Sequence, residues 1–334
     1  FMKIAIVKLS ALGDIVHAMI VLQFIKKYNK EIIIDWVVEE NYKDLLVGHL
    51  DINQVHIVNI KKAKKNKSIY LFFSELIRAR NFGKYDLVID MQGLFKSALI
   101  AKLIPSRLTI GFDKFSARER IASIFYNKTF KSDYADNIVE RNFLLISFAI
   151  GFKLKIEEIN QKTPFLNSSE FLLSPLISKN KKNIILIPGA SHSSKRYPVK
   201  KLAELSLVFD ANFLVIWGSQ EERKLAKTIK ILSPEVHICP ELSISSLISL
   251  IQQVDLVIGP DTGPTHMAWA LNKPSITLFG PTPGYRNVFT TNINKYIESS
   301  SKVNPFKINQ NDYSIKNINV DEIVKITDDL LKLN

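Results

Sequence analysis

Val257-Ile258-Gly259-Pro260-Asp261-Thr262-Gly263-Pro264-Thr265-His266 is an apolar run that breaks at Gly-Pro, passes through Asp-Thr-Gly and enters a segment with helical character. The pattern predicts a buried strand that delivers a polar tip at its carboxyl end, followed at once by a helix. The first N–H groups of a helix lack intrahelical partners and attract an anion. Thr262 adds a hydroxyl, Gly263 allows close backbone approach, and Asp261 can accept hydrogen bonds from ligand hydroxyls. Such a unit suits a phosphate joined to a sugar. Simple helix capping by Asp261 or Thr262 is the alternative reading of the same residues.

Outward from this stretch, short apolar strands alternate with amphipathic helices along the 334 residues. In the first half, strands are expected at 3–8, 32–38, 55–60 and 86–90, and helices at 15–28, 69–81, 95–104 and 136–152. After an irregular stretch at 153–182 the alternation restarts. Strands are expected at 184–187, 213–217, 236–239, 255–259 and 275–279, and helices at 198–209, 221–231, 243–253, 264–271 and 320–333. This alternation predicts an α/β chain of two Rossmann-like, doubly wound parallel-sheet domains facing across a cleft. The expected domains are 2–160 and 161–318, with a closing helix at 319–334.

Composition narrows the function. The chain is 46% hydrophobic and 23% charged, ordinary for a globular protein with two cores. No apolar run is long enough to cross a bilayer, and the first segment, Lys3 to Val7, is too short for the core of a secretory leader. One cysteine, Cys239, precludes an intrachain disulfide and a cysteine metal cluster, and fits a reducing cytoplasm. The net charge of +13 points to an anionic partner, and the run Lys61-Lys62-Ala63-Lys64-Lys65-Asn66-Lys67 stands above that background. Aromatic stacking series and nucleic-acid motifs are absent, so no nucleic-acid partner is expected. There is no Asp-x-Asp, and the six histidines form no His-x-x-x-His pair, so no metal is expected.

Four loops at strand ends carry candidate chemistry. Lys8-Leu9-Ser10-Ala11-Leu12-Gly13-Asp14 has neither a dinucleotide fingerprint nor a P-loop, and it places Asp14 at a helix start, as a helix cap or as a general base. Pro188-Gly189-Ala190-Ser191-His192-Ser193-Ser194-Lys195 offers a hydroxyl at Ser191 and a point charge at Lys195 for phosphate. Trp217-Gly218-Ser219-Gln220-Glu221-Glu222 offers a carboxylate for ribose hydroxyls or for the helix dipole. The Asp261 loop is the fourth.

Taken together and in order, Val7-Lys8-Leu9-Ser10-Ala11-Leu12-Gly13-Asp14-Ile15-Val16-His17, Asp35-Trp36-Val37-Val38-Glu39-Glu40, Asp90-Met91-Gln92-Gly93-Leu94-Phe95-Lys96-Ser97-Ala98 and Gly259 to His266 resemble glycosyltransferase family 9. These are the lipopolysaccharide heptosyltransferases, and the second and third segments favour the type I branch. Ala117-Arg118-Glu119-Arg120 and Phe125-Tyr126-Asn127 agree with it. The resemblance implies a GT-B fold with the acceptor on the first domain and the donor on the second. It implies inverting, metal-independent transfer of L-glycero-D-manno-heptose from ADP-heptose to Kdo, the acidic sugar on lipid A. A family 9 enzyme for another acceptor or sugar, such as a type II heptosyltransferase, is the alternative, and a non-catalytic anion-binding protein is a third reading.

By motif match, Asp14 is the expected catalytic base. The expected donor-binding residues are Ser191, Lys195, Glu222, Leu242, Asp261, Thr262, Gly263 and His266. The expected acceptor-binding residues are Ser10, Lys61, Lys62, Lys64, Gln92, Lys96 and Arg118. The closing helix is expected to pack back toward the N-terminal domain, as in relatives. Ala190 stands in place of a hydroxyl residue, Leu242 in place of Met and Asn137 in place of His in some relatives. The lipid-borne acceptor implies a cytoplasmic protein peripheral to the inner face of the inner membrane, docked through anionic lipid.

Overall fold

Two parallel sheets organise the chain in the computed structural model, which describes residues 1–168 and 175–332. The first unit spans Phe1–Phe165 and the second Leu166–Asn334. The boundary thus lies five residues beyond the expected 160. The turn Ile156–Gln161 and the buried Phe165 belong to the first unit, where the Phe165 carbonyl lies 3.0 Å from His49 Nε2.

The first unit runs β1 (Lys3–Val7), α1 (Leu12–Tyr28), β2 (Ile33–Glu39), β3 (Gln54–Val58), α2 (Ile60–Lys65), α3 (Ile69–Ala79), β4 (Tyr85–Asp90), α4 (Phe95–Leu103), β5 (Ser106–Phe112), β6 (Lys128–Phe130) and α5 (Ile138–Ile150). Its sheet is ordered β3-β2-β1-β4-β5-β6, and every pairing is parallel. β1 is KIAIV with Ile4 to Val7 wholly buried, as a central strand covered on both faces requires.

The second unit runs β7 (Asn183–Leu186), α6 (Val199–Val208), β8 (Asn212–Val215), α7 (Gln220–Leu232), β9 (His237–Ile238), α8 (Ile244–Gln253), β10 (Leu256–Pro260), α9 (Gly263–Ala270), β11 (Ser275–Phe279), α10 (Gly284–Asn287), β12 (Asn294–Glu298) and α11 (Val320–Lys332). Its order, β12-β11-β10-β7-β8-β9, is the same winding and is again all parallel. In each sheet the winding reverses between the first and fourth strands of the unit. Ligands of such sheets bind at the carboxyl ends of the strands flanking that reversal. The flanking strands are β1 and β4 in one unit, and β7 and β10 in the other.

Several elements differ from the sequence reading. β5, β6 and β12 have no counterpart in it. The first half of β5 is polar and partly exposed, and β6 and β12 are short edge strands, so none shows a continuous apolar run. Lys61 to Lys65 of the lysine run lie in α2. The closing helix expected at 319–334 is α11, Val320–Lys332. Val320, Ile323 and Leu330 of α11 lie in the core of the second unit, and α11 packs on α6 and β11. Its apolar stripe finds there the sheet face that its own unit leaves open. The last two residues of that expected segment lie outside the described residues.

Candidate active site

In the second unit Asp261 follows β10 directly and is buried at the head of α9. Its carboxylate is an acceptor for four side chains. Lys195 Nζ donates to Oδ2 at 2.8 Å, Thr282 Oγ1 at 3.0 Å and Asn287 Nδ2 at 3.3 Å, while His266 Nε2 lies 3.0 Å from Oδ1. Burial by itself raises the carboxyl pKa. The Lys195 charge and the His266 contact outweigh it, and the net direction is well below the ordinary carboxylate range. A single anionic centre therefore fixes Lys195, from the loop after β7, beside the N-terminus of α9.

That helix start is equipped for a further anion. Thr262 is the N-cap, and its own N–H reaches Thr265 Oγ1 at 3.5 Å. The Thr262 hydroxyl oxygen is buried and has no hydrogen-bond partner among the described residues. A buried hydroxyl without a partner costs roughly 1–3 kcal/mol, which a ligand oxygen there would recover. Gly263, the first helical residue, keeps the approach to these N–H groups open.

Glu222 lies on the first turn of α7, and its Oε2 accepts the Gly218 N–H at 2.7 Å. Gly189, in the loop after β7, is the surface against which it packs: a β-carbon at Gly189 would overlap the Glu222 carboxyl group. A side chain at position 189 would push the Glu222 carboxylate aside. On the expectation that Glu222 meets the donor nucleotide, Gly189→Ala should displace its carboxylate and weaken ADP binding about tenfold, the scale of one charge-assisted hydrogen bond. Calorimetric titration with ADP checks this, and unchanged affinity would remove Glu222 from the nucleotide site. Ser191 is exposed and Leu242 half-buried beyond β9. Neither is among the hydrogen-bond partners of Asp261 shown here.

In the first unit the ends of β1, β2 and β4 are tied into one network. Asp90, at the end of β4, is wholly buried and accepts from Tyr126 Oη at 2.7 Å, Ser97 Oγ at 2.8 Å and the N–H of Gln92 at 2.8 Å. Burial pushes its pKa up against these hydrogen bonds. The turn it stabilises has Gly93 at φ +67°, a left-handed conformation, with Ala117 Cα within van der Waals reach. From that turn Gln92 Oε1 accepts the N–H groups of Leu9 at 3.1 Å and Ser10 at 3.2 Å. Gln92, expected to bind the acceptor, thus holds the loop of Asp14 through its carbonyl end, and its NH2 end is the one that can meet a substrate.

Asp14 is the third residue of α1, and its Oδ2 accepts the Ala11 N–H at 3.2 Å. The capping alternative is therefore real in part, with Ala11 as the N-cap and Asp14 reaching back to it. Half-buried, Asp14 keeps access to solvent. Glu39, at the end of β2, accepts the Lys61 N–H at 3.1 and 3.3 Å and lies 4.0 Å from Lys96 Nζ. Lys61 Nζ donates to Tyr42 Oη at 2.7 Å. Lys62 and Arg118 are exposed, and the Lys64 side chain lies outside the described residues. Asn137, which stands in place of His in some relatives, is the N-cap of α5 and accepts the Val139 N–H at 3.0 Å.

Sequence reasoning misses Asp90 as a centre, along with Thr282 and Asn287. Asp90 and Ser97 stand in a quoted motif, but what joins them to Tyr126 is strand pairing. Asn287 follows a Pro-Gly turn that carries no local sign of Asp261.

Comparison with known proteins agrees with this geometry. The profile of glycosyltransferase family 9 (heptosyltransferase) matches residues 74–312. The chain is 39% identical to lipopolysaccharide heptosyltransferase 1 of Campylobacter coli, with 98% of this chain and 99% of that protein covered. The fold is that of the E. coli heptosyltransferase WaaC solved with ADP, at a TM-score of 0.81, 24% identity and coverage of 98% and 100%. WaaC solved with ADP-2-deoxy-2-fluoro heptose matches at a TM-score of 0.79 and 24% identity over 98% and 99%. With both sheets wound in this manner, and the motifs of the four strand-end loops in place, the chain belongs to glycosyltransferase family 9, the heptosyltransferases.

Proposed function

We propose that the chain transfers L-glycero-D-manno-heptose from ADP-heptose to Kdo of Kdo-lipid A, in the inner core of lipopolysaccharide, with inversion at the anomeric carbon. The observation that carries this reading is the Asp261 centre: a carboxylate for sugar hydroxyls, a buried ammonium, an unpartnered Thr262 hydroxyl and a helix N-terminus, all at the winding reversal of one sheet. That set matches a diphosphate joined to a sugar. The relative at 39% identity is named lipopolysaccharide heptosyltransferase 1, and a solved relative holds an ADP-heptose analogue.

In the reaction an acceptor hydroxyl gives its proton to Asp14 as its oxygen bonds to the anomeric carbon. The bond from that carbon to the diphosphate oxygen breaks, and ADP leaves with the electron pair. Lys195, the Thr262 hydroxyl and the first N–H groups of α9 receive the growing negative charge. The reading takes the transfer as metal-independent, with Lys195 and the helix N-terminus in the role of a divalent cation. Transfer of heptose to Kdo-lipid A should proceed undiminished in excess EDTA. Loss of activity restored by a divalent cation would overturn metal-independence. Transfer only to an acceptor that already carries heptose would assign the chain to the type II reaction.

The acceptor is lipid-borne, whereas no helix among the described residues is long and apolar enough to cross a membrane. We place the protein at the cytoplasmic face of the inner membrane, with Lys61, Lys62, Lys64, Lys65 and Lys67 toward anionic lipid. Each such cation near the surface contributes about 1 kcal/mol, screened by salt.

A further inference from the structure

We propose that the outer face of α3 inserts into the interface of an anionic phospholipid bilayer, so that α2 and α3 form one membrane-docking surface. The proposal rests on the lipid-borne acceptor only for its biological setting; the surface itself is argued from the fold. Ile69, Tyr70, Phe73 and Ile77 of α3 are exposed by 74%, 81%, 56% and 63%. At about 100° per residue these positions fall on a single stripe roughly one quarter of the helix wide. Isolated exposed apolar residues are ordinary on protein surfaces, but four large ones stacked on one helix face are a partner site.

The adjoining face of the helix explains why these four are outside. Leu76 and Ala79 lie in the core of the first unit with Val7, Val88 and Ile100, and Phe72 packs against that core. Glu75 turns inward, where its carboxylate accepts the Asn59 N–H at 3.0 Å and pairs with Arg78 at 2.8 Å. The apolar sector of the helix is therefore wider than the part its own unit covers.

Charge selects the occupant. Between residues 60 and 80 the chain carries seven cations, Lys61, Lys62, Lys64, Lys65, Lys67, Arg78 and Arg80, against the single carboxylate of Glu75. Lys61, Lys62, Lys65, Lys67, Arg78 and Arg80 are exposed. An apolar stripe with cations before and after it and no exposed acid suits the boundary between phosphate headgroups and acyl chains. Tyr70 belongs at that depth, with its ring among acyl chains and its hydroxyl in water. The position also fits the site. α2 and the start of α3 follow the carboxyl end of β3, the sheet edge along which Glu39, Lys61 and Lys96 gather.

The test uses the full chain and vesicles of phosphatidylcholine alone or mixed with phosphatidylglycerol. The three native tryptophans, Trp36, Trp217 and Trp269, are all buried, so Tyr70→Trp adds one exposed reporter. Its emission should shift to the blue on the mixed vesicles and be quenched by bromine carried on the acyl chains. Combined replacement of Ile69, Tyr70, Phe73 and Ile77 by Ser should weaken binding to mixed vesicles about tenfold or more with an unchanged circular dichroism spectrum. The binding that survives should vanish in high salt, whereas the unaltered protein should keep a salt-resistant part. Transfer to a Kdo acceptor stripped of acyl chains should be the same in both proteins. An unshifted emission from the Tyr70→Trp variant, or equal vesicle binding by the Ser variant, would overturn the proposal. Concentration-dependent self-association abolished by the Ser variant, with vesicle binding intact, would instead assign the face to a second copy of the chain. Because the vesicle arms need no substrate, a failure of the heptose-transfer reading would show in the acceptor assay alone.

Discussion

Replacing Asp14 by Asn is expected to lower turnover by about 10² to 10⁴, the usual range for removal of a general base, while leaving fold and ADP affinity intact. The structure sharpens this experiment. Asp14 Oδ2 accepts the Ala11 N–H at 3.2 Å, so the residue both caps α1 and keeps access to solvent. Asn retains a carbonyl oxygen for the cap and has no basic oxygen for the proton. Asp14→Ala removes both functions and supplies the contrast: it should lose turnover like Asn and in addition about 0.5–2 kcal/mol of stability from the missing cap. In the proposed assignment ADP is held by residues of the second unit, so calorimetric affinity should stay within about twofold of the parent in both variants. A folded Asn variant with near-normal turnover would reduce Asp14 to a helix cap and leave the reaction without its base.

The second large effect is on stability. Asp261→Ala leaves Lys195 buried without its carboxylate, the situation in which breaking a buried ion pair costs about 3–5 kcal/mol. For a domain of this size that corresponds to a fall in the melting temperature of roughly 6–20 °C. The folded-state pKa of Asp261 lies below its unfolded value, so its contribution is complete above the unfolded carboxyl pKa of about 4 and is lost as the pH falls further. The melting-temperature gap between parent and variant should therefore be flat through the neutral range and narrow on acidification below about pH 4. Thermal denaturation at a series of pH values measures it. A gap no larger than about 2 °C at neutral pH would mean that Lys195 reaches water when released and that the pair contributes little. Donor binding should fail in the same variant, because the centre that fixes Lys195 beside α9 is gone.

The two experiments rest on residues that are legible in the sequence to different degrees. Asp14 and Asp261 each stand at a strand-to-helix junction, where an apolar run, small residues and a carboxylate follow one another along the chain. Lys195 is legible as a loop cation, but its burial against Asp261 is not. The residues lie far apart in sequence, and only the pairing of β7 with β10 brings their loops together. Asp90 is the opposite case. It sits inside a quoted motif, yet its partners Ser97 and Tyr126 come from α4 and from the segment after β5, a strand without a local sequence signal. Gln92 shows how a motif residue changes meaning when its partners are known, since its carbonyl is held by the backbone of the neighbouring Asp14 loop. The closing helix is a third case. Its apolar stripe is plain in the sequence, and what it covers is not.

The sequence alone determined the alternation of strand and helix, the two-unit parallel-sheet class and the family, because hydrophobic period, helix-start chemistry and ordered motifs are all local properties of the chain. It also marked the strand-end loops as candidates for chemistry, since polar and small residues there are conspicuous against apolar neighbours. The tertiary structure decided the rest: the unit boundary at 165, the edge strands β6 and β12, the seating of α11, the hubs at Asp90 and Asp261, and the face of α3 that its own core leaves uncovered. Each depends on which distant segments meet, and a buried charge or an apolar stripe acquires its role only from the partner that burial or exposure assigns to it.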